Sequence, residues 1–403
     1  MLHDVALGKR PLSDGIERVA VIAALHADAV DREGRCPVEA VEAMREEGML
    51  GAMVPVELGG HGATLAMLAS DAQRLASACA STAMIFAMHQ IQVACVLNHG
   101  LADEAFRDLA RRIASEGLLL ASITSEVGPG GDMRSSLCAV ERNGNRFALT
   151  KQAPTVSYGD HADVYLVTAR ANPDAASSDQ VLVAVPRADC RMEATGGWDA
   201  LGMRGTCSGG FLFTGNGDAS QIMATPFADI AAETMTPVSH LLWGAVWSGI
   251  AIEAVSRARK FLRSRARRQP GAAQPGATRL ASAIGLIESM QQRLRTLLTA
   301  YDASHALGAD RPVVPEQDAG WPVGMARATT LNLLKCDLSE MSHEAVMQAM
   351  LICGMAGYRN DTEFSIGRHL RDVLSAQLMI SNDRVAAITG TLLIAQRGDH
   401  GRL

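Results

Sequence analysis

Three short runs of this chain concentrate hydroxyls and glycines, which bring neutral hydrogen-bond donors and bare backbone close to a ligand. They are Thr124-Ser125-Glu126-Val127-Gly128-Pro129-Gly130-Gly131-Asp132, Thr155-Val156-Ser157-Tyr158-Gly159-Asp160-His161-Ala162-Asp163, and Gly202-Met203-Arg204-Gly205-Thr206-Cys207-Ser208. Taken singly, each also reads as an ordinary turn next to a strand. Arg265, Arg267 and Arg268 end a helical stretch. There a guanidinium fork suits phosphate oxygens, or else only complements the helix dipole. Groups able to move a proton are sparse around these runs: Glu126, His240 at the head of an apolar run, and Asp383 beside Arg384. A His in apolar company is commonly a satisfied core residue, and an Asp-Arg pair also suits a helix start. The eight Cys are dispersed, with no CxxC pair and no His cluster at ligand spacing. No metal site and no disulfide framework is expected, and the expected location is the cytoplasm.

The elements that must position these residues follow from periodicity. A length of 403 residues with 48% apolar content predicts two or three domains. The net charge of −6 lacks the basic footprint of a nucleic-acid partner. Met1-Leu2-His3-Asp4 has no basic region leading into an apolar core, so no secretory leader is expected. Apolar runs such as Ala83 to Met88 and Ile91 to Leu97 fall short of the roughly 20 residues of a membrane span, and no membrane partner is expected. From Gly15 to Glu116 the pattern is helical: Ile16, Val19, Ala20, Ala23 and Ala27 share one face, and breaks fall at Gly34, Gly48 and Gly59-Gly60. Short β-branched runs follow, at 118–124, 147–150, 164–169, 181–186 and 211–213, and predict antiparallel strands. After Pro226 the helical period returns over 241–261, 280–305, 325–349 and 378–397, with loops at 269–278 and 308–322. The expected domains are 1–117, helical; 118–225, strand-rich; and 226–403, a helical bundle.

Helices, strands and helices in that order, carrying those motifs, resemble the acyl-CoA dehydrogenase family over nearly the whole chain. The resemblance implies an α+β fold with a helical N-terminal domain, a middle antiparallel β-barrel and a C-terminal four-helix bundle, enclosing FAD. Gly197-Trp198-Asp199-Ala200-Leu201 with the Gly202 run resembles the family signature. Val54-Pro55-Val56-Glu57-Leu58-Gly59-Gly60-His61-Gly62 resembles its early double-glycine turn. The Thr124 run is similar to the family's Thr-Glu-Pro-Gly-Ala-Gly-Ser-Asp loop, which implies Thr124, Ser125, Gly130 and Gly131 at the flavin edge. Thr155-Val156-Ser157 is similar to its Trp-Ile-Thr segment, so that Ser157 stands at the Thr bonding flavin N5 and Thr155 replaces a ring-covering Trp. Ile352-Cys353-Gly354-Met355-Ala356-Gly357-Tyr358 and Arg371-Asp372 resemble the family's Gln-x-x-Gly-Gly-x-Gly-Tyr and Arg-Asp elements, the first of which wraps the FAD pyrophosphate of a neighbouring subunit. That implies a role for Gly354 and a homotetramer or homodimer, and Arg265 to Gly271, which resembles in part an Arg-x-x-Phe-Gly element, implies a phosphate contact at Arg267.

The resemblance stops at the catalytic base. The family's Tyr-Glu-Gly-Thr turn reads Met379-Ile380-Ser381-Asn382 here, so Ile380 stands at the usual Glu and Asn382 at the cofactor-facing Thr. The alternative Glu position, on the first bundle helix, reads Ser239, followed by His240. His240 and Asp383 are the remaining candidates for the base, and Glu126 reads as structural. The first expectation is an FAD-dependent oxidoreductase that desaturates an acyl-CoA or a carrier-protein thioester of specialised metabolism. Electrons would pass to an electron-transfer flavoprotein or to oxygen. A flavin monooxygenase on the same fold is the alternative, and a non-catalytic scaffold, recognisable by lack of flavin, is the third reading.

Overall fold

A computed structural model describes residues 12–128, 133–270, 274–305 and 314–396. Five helices come first: α1 (Leu12–Glu33), α2 (Val38–Glu46), α3 (Leu65–Ala78), α4 (Ala80–His99) and α5 (Glu104–Glu116). The expected face of α1 is buried from Ile16 to Ala27. Helix α4 is apolar on every side and buried along nearly its whole length, as a helix without a polar face must be.

The middle segment holds β1 (Leu120–Ile123), β2 (Glu141–Asn143), β3 (Arg146–Val156), β4 (Val164–Arg170), β5 (Gln180–Pro186), β6 (Cys190–Gly196) and β7 (Gly209–Asp218). They pair as two sheets, β1-β4-β5 and β2-β3-β7-β6. The sheets touch along β1/β3 and β5/β7. One expectation is corrected: β1 and β4 run parallel, Leu120 opposite Val164, because the chain between them crosses to the second sheet before returning. Strand β2 is wholly exposed, and β6 alternates Cys190 and Met192, half-buried, with the exposed Arg191 and Glu193 before its last three residues face solvent.

A short helix α6 (Phe227–Ile230) and a π-helical turn (Ala231–Met235) lead into α7 (Thr236–Arg268), followed by α8 (Ala277–Ser304), α9 (Gly324–Cys353), α10 (Met355–Tyr358), α11 (Gly367–Leu378) and α12 (Asn382–Ala395). Helix α7 packs on α3 and α4 of the first segment and on α8, α9 and α11 of its own, so it joins the halves of the molecule. The helix expected over 378–397 is also corrected. Leu378 ends α11, and Ile380 takes a left-handed φ of 47°, rare for a β-branched residue, before α12 begins.

Among the described residues, three helical stretches are long and apolar enough to cross a membrane by length and composition: Ala80–His99, Phe227–Arg268 and Gly367–Ala395. The apolar windows of the first two are 94% and 89% buried inside the protein, so their apolarity serves the core. The third is interrupted at Ile380 and leaves Leu378 and Ile394 exposed.

Candidate active site

The three segments meet around a cavity of about 500 Å³. Helix α4 lines it with Met84, Met88, Ile91 and Gln92, one stripe at helical spacing. The turn into α7 and α7 itself contribute Met235, Thr236, Ser239 and Trp243, a second stripe. The strand region supplies hydroxyls: Ser122, Thr124, Ser125, Thr155, Ser157, Thr206 and Ser208. Helix α11 and the turn after it close the wall with Arg371, Leu374, Ser375, Leu378, Met379 and Ile380.

The signature run is the joint that seats this wall. A Cβ on Gly202 would stand 2.1 Å from the carbonyl oxygen of Arg371, so only Gly allows that approach. Beside it the Met203 N–H donates to the buried carboxylate of Asp372 at 2.7 Å. Burial pushes the Asp372 carboxyl up to about 6. Arg371 donates to the Leu201 carbonyl and pairs with Asp31, which ties α11 to both the signature run and α1.

Three hydroxyls form a chain along the cavity wall. Ser157 Oγ lies 2.8 Å from Ser208 Oγ, Ser208 Oγ lies 2.9 Å from Thr206 Oγ1, and Thr206 Oγ1 lies 2.9 Å from the Met203 carbonyl. That carbonyl also accepts from Trp198 Nε1 and from the Thr206 N–H. The chain can therefore run in either direction: Thr206 can give its hydrogen to Met203 or to Ser208, because the carbonyl has two other donors. Ser125 Oγ donates to the Thr155 carbonyl at 2.6 Å, which fixes one edge loop to the other.

Thr124, Ser125, Thr155 and Ser157 thus come together on one cavity, whereas Gly130 and Gly131 lie outside the described residues. Arg267, in the last turn of α7, and Gly354, at the end of α9, are exposed and do not line this cavity. Asn382 sits behind the wall, accepting from Lys335 and donating to Ser339.

Neither proton-transfer candidate lines the cavity. His240 is buried in the bundle, its Nδ1 donating to the Leu331 carbonyl at 3.1 Å. Burial holds its imidazole neutral, down to about 4. Asp383 is exposed in the first turn of α12. The Glu126 carboxylate accepts from Ser136 Oγ and from the Leu137 and Cys138 N–H groups, with the buried Lys151 ammonium 3.7 Å away, a structural set. Ser239, at the alternative base position, donates to the carbonyl of Met235 on its own helix.

Sequence reasoning passed over Lys335, which is fully buried. Its Nζ donates to the Ile380 carbonyl at 3.0 Å and to Asn382 Oδ1, and lies 5.9 Å from the Trp247 ring. Burial lowers the ammonium to about 8. This contact holds the left-handed Ile380 in the cavity wall. A lone Lys among Leu331, Leu334 and Leu338 on one helix face was the available signal. Gln92 and Trp243 were passed over as core.

The acyl-CoA dehydrogenase N-terminal domain model matches residues 18–105 and the C-terminal domain model matches residues 230–380. The amino sugar nitrososynthase DnmZ of Streptomyces peucetius is 27% identical over 390 residues, covering 92% of this chain and 89% of that protein. The probable acyl-CoA dehydrogenase FadE25 of Mycobacterium tuberculosis is 23% identical, covering 90% and 89%. The structure of dibenzothiophene monooxygenase TdsC from Paenibacillus sp. A11-2 superposes with a TM-score of 0.78 at 19% identity, over 96% of this chain and 97% of that one. With both terminal domain models matched and the signature joint in place, the chain belongs to the acyl-CoA dehydrogenase family of flavoprotein oxidoreductases, and its cofactor is a flavin, FAD being typical of the family.

Proposed function

We propose that this chain is a flavin-dependent monooxygenase that uses the dehydrogenase fold for reaction with dioxygen rather than for thioester desaturation. The observation that carries this reading is the cavity lining: among the described residues it contains no carboxylate. Desaturation removes an α-proton, and a positioned base must accept it. The two positions where the family carries that base are both in the wall, as Ile380 and Ser239, and neither can accept a proton. The nitrososynthase and the dibenzothiophene monooxygenase, both similar to this chain over most of its length, support the same direction.

The wall fits a flavin. Its hydroxyls are neutral and can donate or accept, as the edge of an uncharged ring with both kinds of group requires. Thr124, Ser125 and Thr155 would hold the ring edge, with Ser157 at N5. Arg267 and Gly354, outside the cavity of one chain, would meet the phosphate arm of the cofactor bound by a second copy. A bound reduced flavin supplies two electrons to dioxygen, one oxygen atom going to the substrate and the other to water. The chain's own part is to exclude bulk water with apolar walls, to seat the ring with the hydroxyl chain, and to hold Ile380 in place through Lys335.

The test has two halves on the flavin-loaded protein. Anaerobic titration with saturated acyl-CoA and acyl-carrier-protein thioesters is expected to leave the oxidised flavin absorbance unchanged. Reduced flavin from a separate reductase should support oxygen uptake that yields an oxygenated product. Bleaching by any thioester would overturn the proposal and restore desaturation.

A further inference from the structure

Six of the nineteen methionines in the chain border the cavity: Met84, Met88, Met133, Met203, Met235 and Met379. They come from five separate stretches of sequence, so no single helical stripe accounts for the cluster. An apolar wall does not by itself call for sulfur, since Ile91, Leu374 and Leu378 stand beside them in the same lining. What the thioether adds to such a wall is a soft, oxidisable atom.

Three of the six combine a place in this wall with accessible surface. Met88, Met133 and Met379 are half-buried, whereas Met84, Met203 and Met235 are only 1%, 3% and 4% exposed. A thiol must lose its proton to become a good nucleophile, but a thioether has none to lose and reacts at any pH. Among the described residues no cysteine lines the cavity. An oxidant set free there therefore meets these three sulfurs first.

We infer that Met88, Met133 and Met379 are modification sites, converted to methionine sulfoxide by hydrogen peroxide formed in the cavity when reduced flavin meets dioxygen with no substrate bound. The inference rests on the monooxygenase reading for its oxidant. Reduced flavin passes two electrons and two protons to dioxygen, which yields oxidised flavin and hydrogen peroxide. The sulfur lone pair then attacks one peroxide oxygen: the O–O bond breaks, an S–O bond forms, and the other oxygen leaves as water. Sulfur is oxidised by the two electrons that reduce the peroxide. A sulfoxide is polar where the thioether was apolar, and sulfoxide reductases reverse the change. Turnover without substrate thus makes the wall more polar, and the change is reversible.

The experiment is repeated reoxidation of the flavin-loaded protein. The flavin is reduced without oxygen by stoichiometric dithionite, then mixed with isotopically labelled dioxygen, with catalase in the buffer and no organic substrate. Catalase cannot enter the cavity and destroys the peroxide that leaves it. Peptide mass mapping then quantifies labelled sulfoxide at each methionine, and the label separates it from oxidation during handling. Met67 and Met325, both 48% exposed and outside the cavity, are the internal reference. Labelling of Met88, Met133 and Met379 is expected to exceed that of Met67 and Met325 by at least about tenfold. Hydrogen peroxide added to the oxidised protein without catalase should reverse the order, because bulk oxidant follows exposure. A reoxidised flavin with cavity methionines labelled no more than Met67 and Met325 would overturn this inference alone. So would an order that added peroxide leaves unreversed, since it would trace the oxidation to intrinsic reactivity and not to the flavin. A flavin that stays reduced under dioxygen would overturn the monooxygenase reading, and this inference with it.

Discussion

The hydroxyl chain makes a prediction with a sign. Ser157 would face N5 of the flavin, which accepts a hydrogen bond when oxidised and donates one when reduced. With oxidised flavin the chain runs outward, Thr206 to Ser208 to Ser157 to the ring, and Met203 keeps its two other donors. With reduced flavin it runs inward, and the last hydrogen, on Thr206, goes to the Met203 carbonyl. Thr206→Val removes that terminus while keeping shape. The outward chain then loses only a donor to Ser208, whose oxygen is merely under-satisfied. The inward chain leaves the Ser208 hydrogen orphaned, which is the more expensive defect. At about 1 kcal/mol for that defect, reduced flavin binds about fivefold more weakly and oxidised flavin about as before. For a two-electron couple this lowers the midpoint potential by about 20 mV. Dye-linked reductive titration of wild type and Thr206→Val measures it. Ser157→Ala should abolish the effect, so that adding Thr206→Val to it changes nothing further. An unchanged or raised potential in Thr206→Val would refute the reversible chain.

Two further outcomes follow from the bundle. Lys335 has its ammonium lowered from 10.5 to about 8 in the folded state, so the unfolded chain binds more protons between those values. Its contribution to stability is fully present above pH 10.5 and is lost as pH falls through 8, up to about 3 kcal/mol by linkage. Denaturant midpoints of wild type minus Lys335→Met across pH 7.5 to about 10.5 should show that slope, and a flat difference would contradict it. The slope is the readout because Met removes the desolvation cost of the ammonium together with its hydrogen bonds. Separately, Leu351, Met355, Tyr358 and Ile394 are more than half exposed on α9, α10 and α12. A second copy of the chain is the expected cover. Sedimentation should give at least a dimer, and Met355→Glu with Tyr358→Glu should shift it toward the single-chain mass.

How much of this was legible depended on whether a local pattern existed to be read. The helix, strand, helix order was legible because the buried face of α1 repeats at helical spacing and β4 and β5 are runs of β-branched residues. Strand β6 was not, because Cys190–Gly196 borders solvent and holds no Val, Ile or aromatic residue, so its alternation of Cys190, Met192 and Ala194 with polar residues is weak; its strand character comes from pairing with β7. The break at Ile380 was invisible because Met379, Ile380 and Ser381 include neither Gly nor Pro. A buried ammonium from another helix holds the turn, and no local signal announces that. Hydroxyls on loops were found because glycines and a family resemblance marked them. Gln92 and Trp243 were not, since a residue on an apolar helix looks the same in sequence whether it lines a cavity or packs in the core.

The fold was legible where the reaction was not, for a physical reason. The fold is fixed by close approaches such as Gly202 against Arg371 and by buried pairs such as Met203 with Asp372, and these persist whatever the cavity does. Side chains in the cavity wall are a separate matter. The turn at Ile380 is held through its backbone, because Lys335 bonds its carbonyl and not its side chain. Any side chain tolerating a left-handed φ could stand there without disturbing Asn382 or α12. The two questions are therefore separate physically: backbone contacts such as these decide that the fold forms, whereas the side chains that line the cavity are where relatives on one fold can differ in what they oxidise.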